Sequence, residues 1–371
     1  MNFDFSDDQK ALKDQARRFL ADKSTTKAVR AVLDHADVSY DKALWASVAE
    51  LGWLGAAIPE EFGGLGLGKL ELCVLSEEMG RALAPIPWTS TVAFFTEAVL
   101  LAGSDAQKAA VLPKIADGSA IGCFGVSEGP GAPRADAIAA AFDGATLSGV
   151  KIPVTDGDCA THAVVLAKEG SGCSLVLVDL SGPGVTRATL KTIDPSRGHA
   201  KLTFAGAKAE RLGAAGEGWA LTEAVLDRAA VLIAFEQIGA ADACLEMATD
   251  YAKSRIAFSR PIGSFQAIKH KLADIYVANQ VGRANAYYAA WAFSSDAGEL
   301  GLAAAQARIA ATHAFTLAAK DNIQTHGGMG FTWDLDCHLF FRRAKLLAVQ
   351  AGAPGVWKEK LVSRLERKNA A

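Results

Sequence analysis

The sequence predicts a mainly α-helical protein with a β middle domain. Three observations carry this. The hydrophobic period is helical over residues 6–118, it gives way to short strand-like runs over 119–211, and long Ala-rich helical stretches fill 212–371. A chain of 371 residues is long enough for roughly two to three domains. Its composition, 50% hydrophobic and 21% charged, is that of a globular chain with a sizeable core. Each segment is read as its own domain.

In the first segment Ser6 is placed to cap a helix, and Ala11, Leu12, Phe19 and Leu20 form its apolar stripe. Residues 43–51 fit a second helix that stops at Gly52. A Gly-rich turn, Pro59-Glu60-Glu61-Phe62-Gly63-Gly64, leads to helical patterns at 70–83, 89–102 and 105–115. The middle segment has β-rich runs at 163–167, 174–179, 184–188 and 201–204. Gly, Pro and Asp separate them at the spacing of a small antiparallel sandwich or barrel. In the last segment 225–253, 265–293, 301–324 and 336–349 are helices long enough to pack as an antiparallel bundle.

Charge and motifs remove several function classes. Lys+Arg 38 against Asp+Glu 41 gives a net charge of −3, without the basic excess of a nucleic-acid protein. No apolar run approaches the roughly 18 residues of a membrane span. The acidic start, Met-Asn-Phe-Asp-Phe-Ser-Asp-Asp, lacks the layout of a signal peptide. The six cysteines are scattered without a Cys-x-x-Cys pair and read as reduced, mostly buried thiols of a cytoplasmic protein. The seven histidines have no metal-ligand spacing, so no metal is expected. Rossmann, P-loop and Gly-x-Ser-x-Gly motifs are missing.

Three segments stand out. In 255–270 the sequence Arg255-Ile256-Ala257-Phe258-Ser259-Arg260-Pro261-Ile262-Gly263-Ser264-Phe265-Gln266 joins two long helices. Pro261 and Gly263 make the break, and Ser264 is placed to cap the next helix. Arg255 and Arg260 beside a helix start suit a pyrophosphate, or the segment is a solvated helix–helix turn. In Gln324-Thr325-His326-Gly327-Gly328-Met329-Gly330 the glycines let a flat ligand approach closely, or they are simply a helix C-cap and loop. The third, Val126-Ser127-Glu128-Gly129-Pro130-Gly131, enters the β region with a hydroxyl able to donate to a ring carbonyl, or is a plain turn.

The order of these segments on a helix–sheet–helix layout resembles the acyl-CoA dehydrogenase family. The resemblance runs over nearly the whole chain. It is strongest at 255–270 and at 324–343, which leads into His338-Leu339-Phe340-Phe341-Arg342-Arg343-Ala344-Lys345. Gly52-Trp53-Leu54, the 59–66 turn and Glu77-Glu78-Met79-Gly80-Arg81 add support. The resemblance implies an N-terminal helical domain, a central β-sandwich or barrel and a C-terminal four-helix bundle. It implies FAD held at a subunit interface and α,β-dehydrogenation of an acyl-CoA thioester, with an electron-transfer flavoprotein as the usual acceptor. Carried over, Arg255, Phe258 and Gln266 contact the FAD pyrophosphate and adenine side from a neighbouring subunit. Gln324, Gly327 and Gly328 line the same end. Ser127 and Thr155 match positions that bond the flavin ring.

The chain departs from the family pattern around the flavin and substrate. The family's catalytic Glu follows the Arg-rich segment, and counting from the arginines puts Ala351 there. The alternative Glu position, on the first long C-terminal helix, falls on Ala229. Alanine takes no proton. Pro153 stands where a Trp or Phe is usual, and Ala257 replaces a hydroxyl residue. Three readings follow. The first is the base-lacking subunit of an α2β2 dehydrogenase completed by a homologous Glu-bearing partner. The second is a self-associating homotetramer with a displaced base, the candidates being Glu236, Asp227 and Glu128. The third is a flavin-free acyl-CoA-binding or scaffold protein on the same fold.

Overall fold

The computed structural model describes residues 5–34 and 38–370. The first four residues of the acidic start therefore lie outside the described residues. The helices are α1 (Asp7–Lys23), α2 (Thr26–Asp34), α3 (Lys42–Glu50), α4 (Lys69–Arg81), α5 (Glu97–Ala102) and α6 (Asp105–Ala116). Strands β1 (Gly122–Gly125), β2 (Ala141–Phe142), β3 (Thr146–Thr155), β4 (His162–Glu169), β5 (Gly172–Asp179), β6 (Val185–Thr189) and β7 (His199–Leu212) follow. Then come α7 (Gly218–Ser254), a small hairpin of β8 (Ile256–Ala257) and β9 (Arg260–Pro261), α8 (Gln266–Ser294), α9 (Leu300–His326), α10 (Gly328–Phe331), α11 (Cys337–Val349) and α12 (Pro354–Ala370). No helix among the described residues is long and apolar enough to cross a membrane.

Two compact units result, and neither is a consecutive segment. Met1–Arg30, Lys69–Ala84 and Ala230–Ala371 form one, and Ala31–Gly68 with Pro85–Ala229 form the other. The first is helical. Ser6 caps α1 in a full capping box with Gln9, as the sequence predicts. Its α8 and α9 lie side by side, with α11 and α12 against α9. The core is rich in alanine, among others Ala303, Ala304, Ala307, Ala311 and Ala314 along α9, and these short side chains allow close helix packing.

A balanced ion network ties α1, α4, α7 and α8 together. Buried Glu77 takes Lys13 at 2.8 Å and Arg283 at 2.7 Å. Glu78 takes Arg17 at 2.9 Å, while Arg81 reaches Glu246 at 2.5 Å and Arg283 also bonds Asp242. Burial by itself would raise the Glu77 pKa, but the Arg283 and Lys13 charges overcome it and hold the carboxyl below its ordinary value. A depressed folded-state pKa means that Glu77 stabilises the fold above its unfolded value, near pH 4.3 for a glutamate, and loses that contribution as pH falls through the folded value. Glu77→Gln is therefore expected to lower the melting temperature at pH 7, with the gap to the wild type closing on acidification. Thermal melts from pH 7 to pH 3 read this directly, and a gap that stays constant would contradict it.

The second unit carries the sheet. Strands β4, β2, β3, β7 and β5 close on one another through the β4–β5 pairing, with β1 added on β4 and β6 on β7. The ring is the barrel alternative of the sequence reading, although β1–β4 and β2–β4 are parallel. Two differences from the sequence reading have physical causes. Strand β3 is hidden in the sequence because Gly149 and Pro153 interrupt its pattern, and the ladder to β7 shifts register near both. Residues 89–102 begin as a π-helix, Thr89–Thr96, before continuing as α5.

Candidate cofactor site

In the helical unit α7 ends at Ser254, and the chain turns through the β8–β9 hairpin into α8. Phe258 and Ser259 at its tip have φ of +53° and +62°. The left-handed region is costly for a bulky residue such as phenylalanine, and residues held there concentrate at functional sites. Phe258 is 89% exposed. Phe265 meets it edge-on at 6.1 Å, and the Arg260 guanidinium lies over the Phe265 ring at 4.1 Å. Arg255 and Gln266 are also exposed. Ser264 does not cap α8. It falls in the short 3-10 turn Ile262–Ser264, and Phe265 occupies the N-cap without a side-chain bond. The first N–H groups of α8 thus have no side-chain cap, and a 29-residue helix presents its positive end beside two arginines.

The second loop follows α9. Gln324, Gly327 and Gly328 are exposed, and a Cβ on either glycine would meet no atom within 4 Å. The structure brings this loop beside the hairpin: Tyr251, in the last turn of α7, stacks on His326 at 4.1 Å. Guanidinium, amides, exposed aromatic and open glycine backbone together form a donor set that fits a dinucleotide's pyrophosphate and adenosine.

The flavin-side candidates sit in the β unit. The Ser127 carbonyl accepts the Ile152 N–H at 2.8 Å, which ties the loop to β3. Glu128 spends its carboxylate locally, accepting from Lys151 at 2.7 Å and from the N–H groups of Ala139 and Ala140 at 2.7 and 2.9 Å. Lys151 is fully buried and also donates to the Val126 carbonyl at 3.1 Å. Burial would raise the Glu128 pKa, but these bonds hold it below its ordinary value, the opposite of what a general base needs. Thr155 Oγ1 lies 3.3 Å from His199 Nε2, and His199 Nδ1 lies 3.2 Å from the Arg197 carbonyl. A carbonyl can only accept, so Nδ1 carries the proton and Nε2 of the neutral ring accepts from Thr155. Burial lowers the His199 pKa, which favours that neutral ring. The Thr155 oxygen is left as an acceptor. No sequence signal marks His199, because its role depends on the β3–β7 register.

The remaining base candidates are placed as follows. Ala229 is fully buried on α7, and Asp227 is 8% exposed on the same helix. Glu236 and Arg343 are both 1% exposed and lie 3.7 Å apart, so the carboxylate sits in a buried ion pair. Ala351 has φ +61° in the turn after α11. Beneath that turn Arg308, also buried, donates to Gln237 at 2.6 Å, to Thr312 at 2.7 Å and to the carbonyls of Leu347 and Gln350. It closes the C-terminal end of α11 as a cation should. Burial drives its pKa down to about 9, opposed by the Glu236 charge.

These features meet in one class of protein. Residues 6–119 match the acyl-CoA dehydrogenase N-terminal domain, and residues 216–365 match the acyl-CoA dehydrogenase C-terminal domain. The chain belongs to the acyl-CoA dehydrogenase family, oxidoreductases whose members are FAD flavoproteins. Among particular relatives, it is 34% identical over 347 residues to the acyl-CoA dehydrogenase IpdE2 of Mycobacterium tuberculosis, covering 91% of each chain. Among solved structures, a single-substitution variant of the Tcur3481-Tcur3483 steroid ACAD matches with a TM-score of 0.89 at 31% identity, covering 98% of this chain and 99% of that one. The ChsE4-ChsE5 complex of Mycobacterium tuberculosis matches with a TM-score of 0.88 at 26% identity, covering 100% and 99%.

Proposed function

We propose that this chain is the base-lacking subunit of an α2β2, FAD-dependent acyl-CoA dehydrogenase acting in lipid or steroid catabolism. The observation that carries the reading is an asymmetry. The adenosine-side groups, Arg255, Phe258, Gln266, Gln324, Gly327 and Gly328, are exposed and ready for a ligand, while both family base positions hold alanine. Of the substitute carboxylates, Glu128 is committed to Lys151 and Glu236 to Arg343. FAD, when bound, supplies the hydride acceptor. This chain's part is to hold its pyrophosphate with Arg255 and Gln266 and its adenosine end with the 324–328 loop. A Glu-bearing homologous subunit supplies the proton acceptor, and an electron-transfer flavoprotein reoxidises the flavin. Solved relatives that are themselves a steroid ACAD and a two-component complex support both the substrate class and the pairing. An exposed apolar face on α8, with Tyr276, Val277 and Val281 each more than half exposed, supports association with another chain.

The test is bound flavin per chain, from visible absorbance against protein concentration. Expressed alone, the protein is expected to carry almost none. Co-expression with a Glu-bearing homologue is expected to bring about half an equivalent per chain, as a symmetric α2β2 assembly requires. One flavin per chain in a homo-oligomer that oxidises an acyl-CoA with a dye acceptor would establish the self-sufficient enzyme instead.

A further inference from the structure

The two adenosine-side loops are far apart in sequence, and one contact sets their spacing. Tyr251 and His326 stack with ring centroids 4.1 Å apart and planes 29° apart. Tyr251 is tied to the hairpin, because its carbonyl accepts the Arg255 N–H at 2.8 Å and the Arg255 carbonyl accepts the Ile262 N–H at 2.9 Å. His326 adjoins Gly327, and its ring is fixed by an Nδ1–H bond to the Asn322 carbonyl at 2.9 Å. His326 is 7% exposed, so the ring is a packed element of the loop base. The chain beyond is pressed onto it: a Cβ on Gly330 would lie 2.8 Å from the His326 Cβ and 2.4 Å from the Ile323 carbonyl oxygen. Asn322 Nδ2 also meets Met247 Sδ at 3.2 Å, a turn before Tyr251, so the two helix ends are joined twice.

We propose that the Tyr251–His326 stack is a positioning element: it holds Arg255 and Gln266 at a fixed spacing from Gln324 and Gly328, and thereby sets the affinity for the pyrophosphate–adenosine half of FAD. This rests on the reading of these loops as the FAD site. Neither ring is required to touch the cofactor. The stack acts through the loops it joins.

The experiment compares the wild-type α2β2 complex with complexes carrying His326→Ala, His326→Phe, Tyr251→Leu and Arg255→Ala in this chain. Dissociation constants for FAD and for ADP are measured by calorimetry, at a temperature where circular dichroism shows each variant folded. His326→Ala is expected to weaken both ligands about tenfold, the scale of one aromatic pair. His326→Phe keeps the ring face and should restore binding to within about threefold, a recovery of most of that stacking energy. Tyr251→Leu gives an independent reading should His326→Ala fail to fold. If His326→Ala and Tyr251→Leu bind both ligands like the wild type while Arg255→Ala does not, the stack has no positioning role. If wild type binds neither FAD nor ADP, the FAD reading falls and takes this proposal with it. Loss in His326→Phe as large as in His326→Ala would assign the spacing to the His326 Nδ1–H bond to Asn322 instead of the ring face, and would overturn the stack as the positioning element.

Discussion

Gly80→Ala is expected to destabilise the protein by about 3 kcal/mol or more, and Gly239→Ala by a similar amount. The two glycines mark the place where α4 and α7 cross with backbone against backbone. A Cβ on Gly80 would stand 1.9 Å from the Glu236 carbonyl oxygen and 2.7 Å from its Cα. A Cβ on Gly239 would stand 1.8 Å from the Glu77 carbonyl oxygen and 3.1 Å from the Arg81 backbone nitrogen. None of these atoms belongs to a side chain that can swing away, so the helices must separate. Alanine gains about 1 kcal/mol of helix propensity over glycine, which the clash outweighs. Separation would also strain the ion pairs of Glu77 and Glu236, whose backbones form the crossing. Gly282 provides the contrast. A Cβ there meets the Ile238 Cδ1 at 2.5 Å, the movable end of a side chain, so Gly282→Ala should cost far less. Urea unfolding of the three variants decides the matter. Equal damage from Gly282→Ala, or none from Gly80→Ala, would refute the crossing argument.

Gly80 also shows how sequence reading and structure divide the work. The Glu77-Glu78-Met79-Gly80-Arg81 run is legible as a family signature, but its reason is a contact with a helix more than 150 residues away. Periodicity finds the long helices because each repeats one pattern for many turns, and it misses short β1 and interrupted β3. It also reads along the chain in consecutive segments, so it carries no sign that α1 and α4 pack in a unit whose bulk begins at Ala230. The site divides in the same way. Arg255, Gln324 and the glycines stand out by residue type and spacing. The pairings beneath these segments, Lys151 with Glu128, His199 with Thr155 and Tyr251 with His326, exist only after strands register and helix ends meet. The tip of the hairpin is a further case, since Phe258 in left-handed geometry breaks a local rule that sequence patterns assume.

Glu128→Ala is expected to cost about 3 kcal/mol of stability, because it leaves the buried Lys151 ammonium without its carboxylate partner. The Lys151 ammonium, with no solvent exposure, would keep its hydrogen bond to the Val126 carbonyl but lose its carboxylate. The N–H groups of Ala139 and Ala140 would lose their acceptor as well. The double variant Glu128→Ala, Lys151→Met should then be more stable than Glu128→Ala alone, since it takes the stranded charge out of the interior. That rescue separates two roles for the same carboxylate. A displaced catalytic base would sit with a raised pKa and an open face toward substrate, and removing it would leave the loop in place. Glu128 instead has its pKa held down by a lysine and two backbone amides, and it pins the loop that carries Ser127 onto β3. A chemical-denaturation cycle of the wild type, both single variants and the double variant measures the coupling. A coupling energy near zero would mean that the pair does not latch the loop and would reopen Glu128 as a proton acceptor. A strong coupling assigns Glu128 to the latch and removes it from the candidates for proton acceptor.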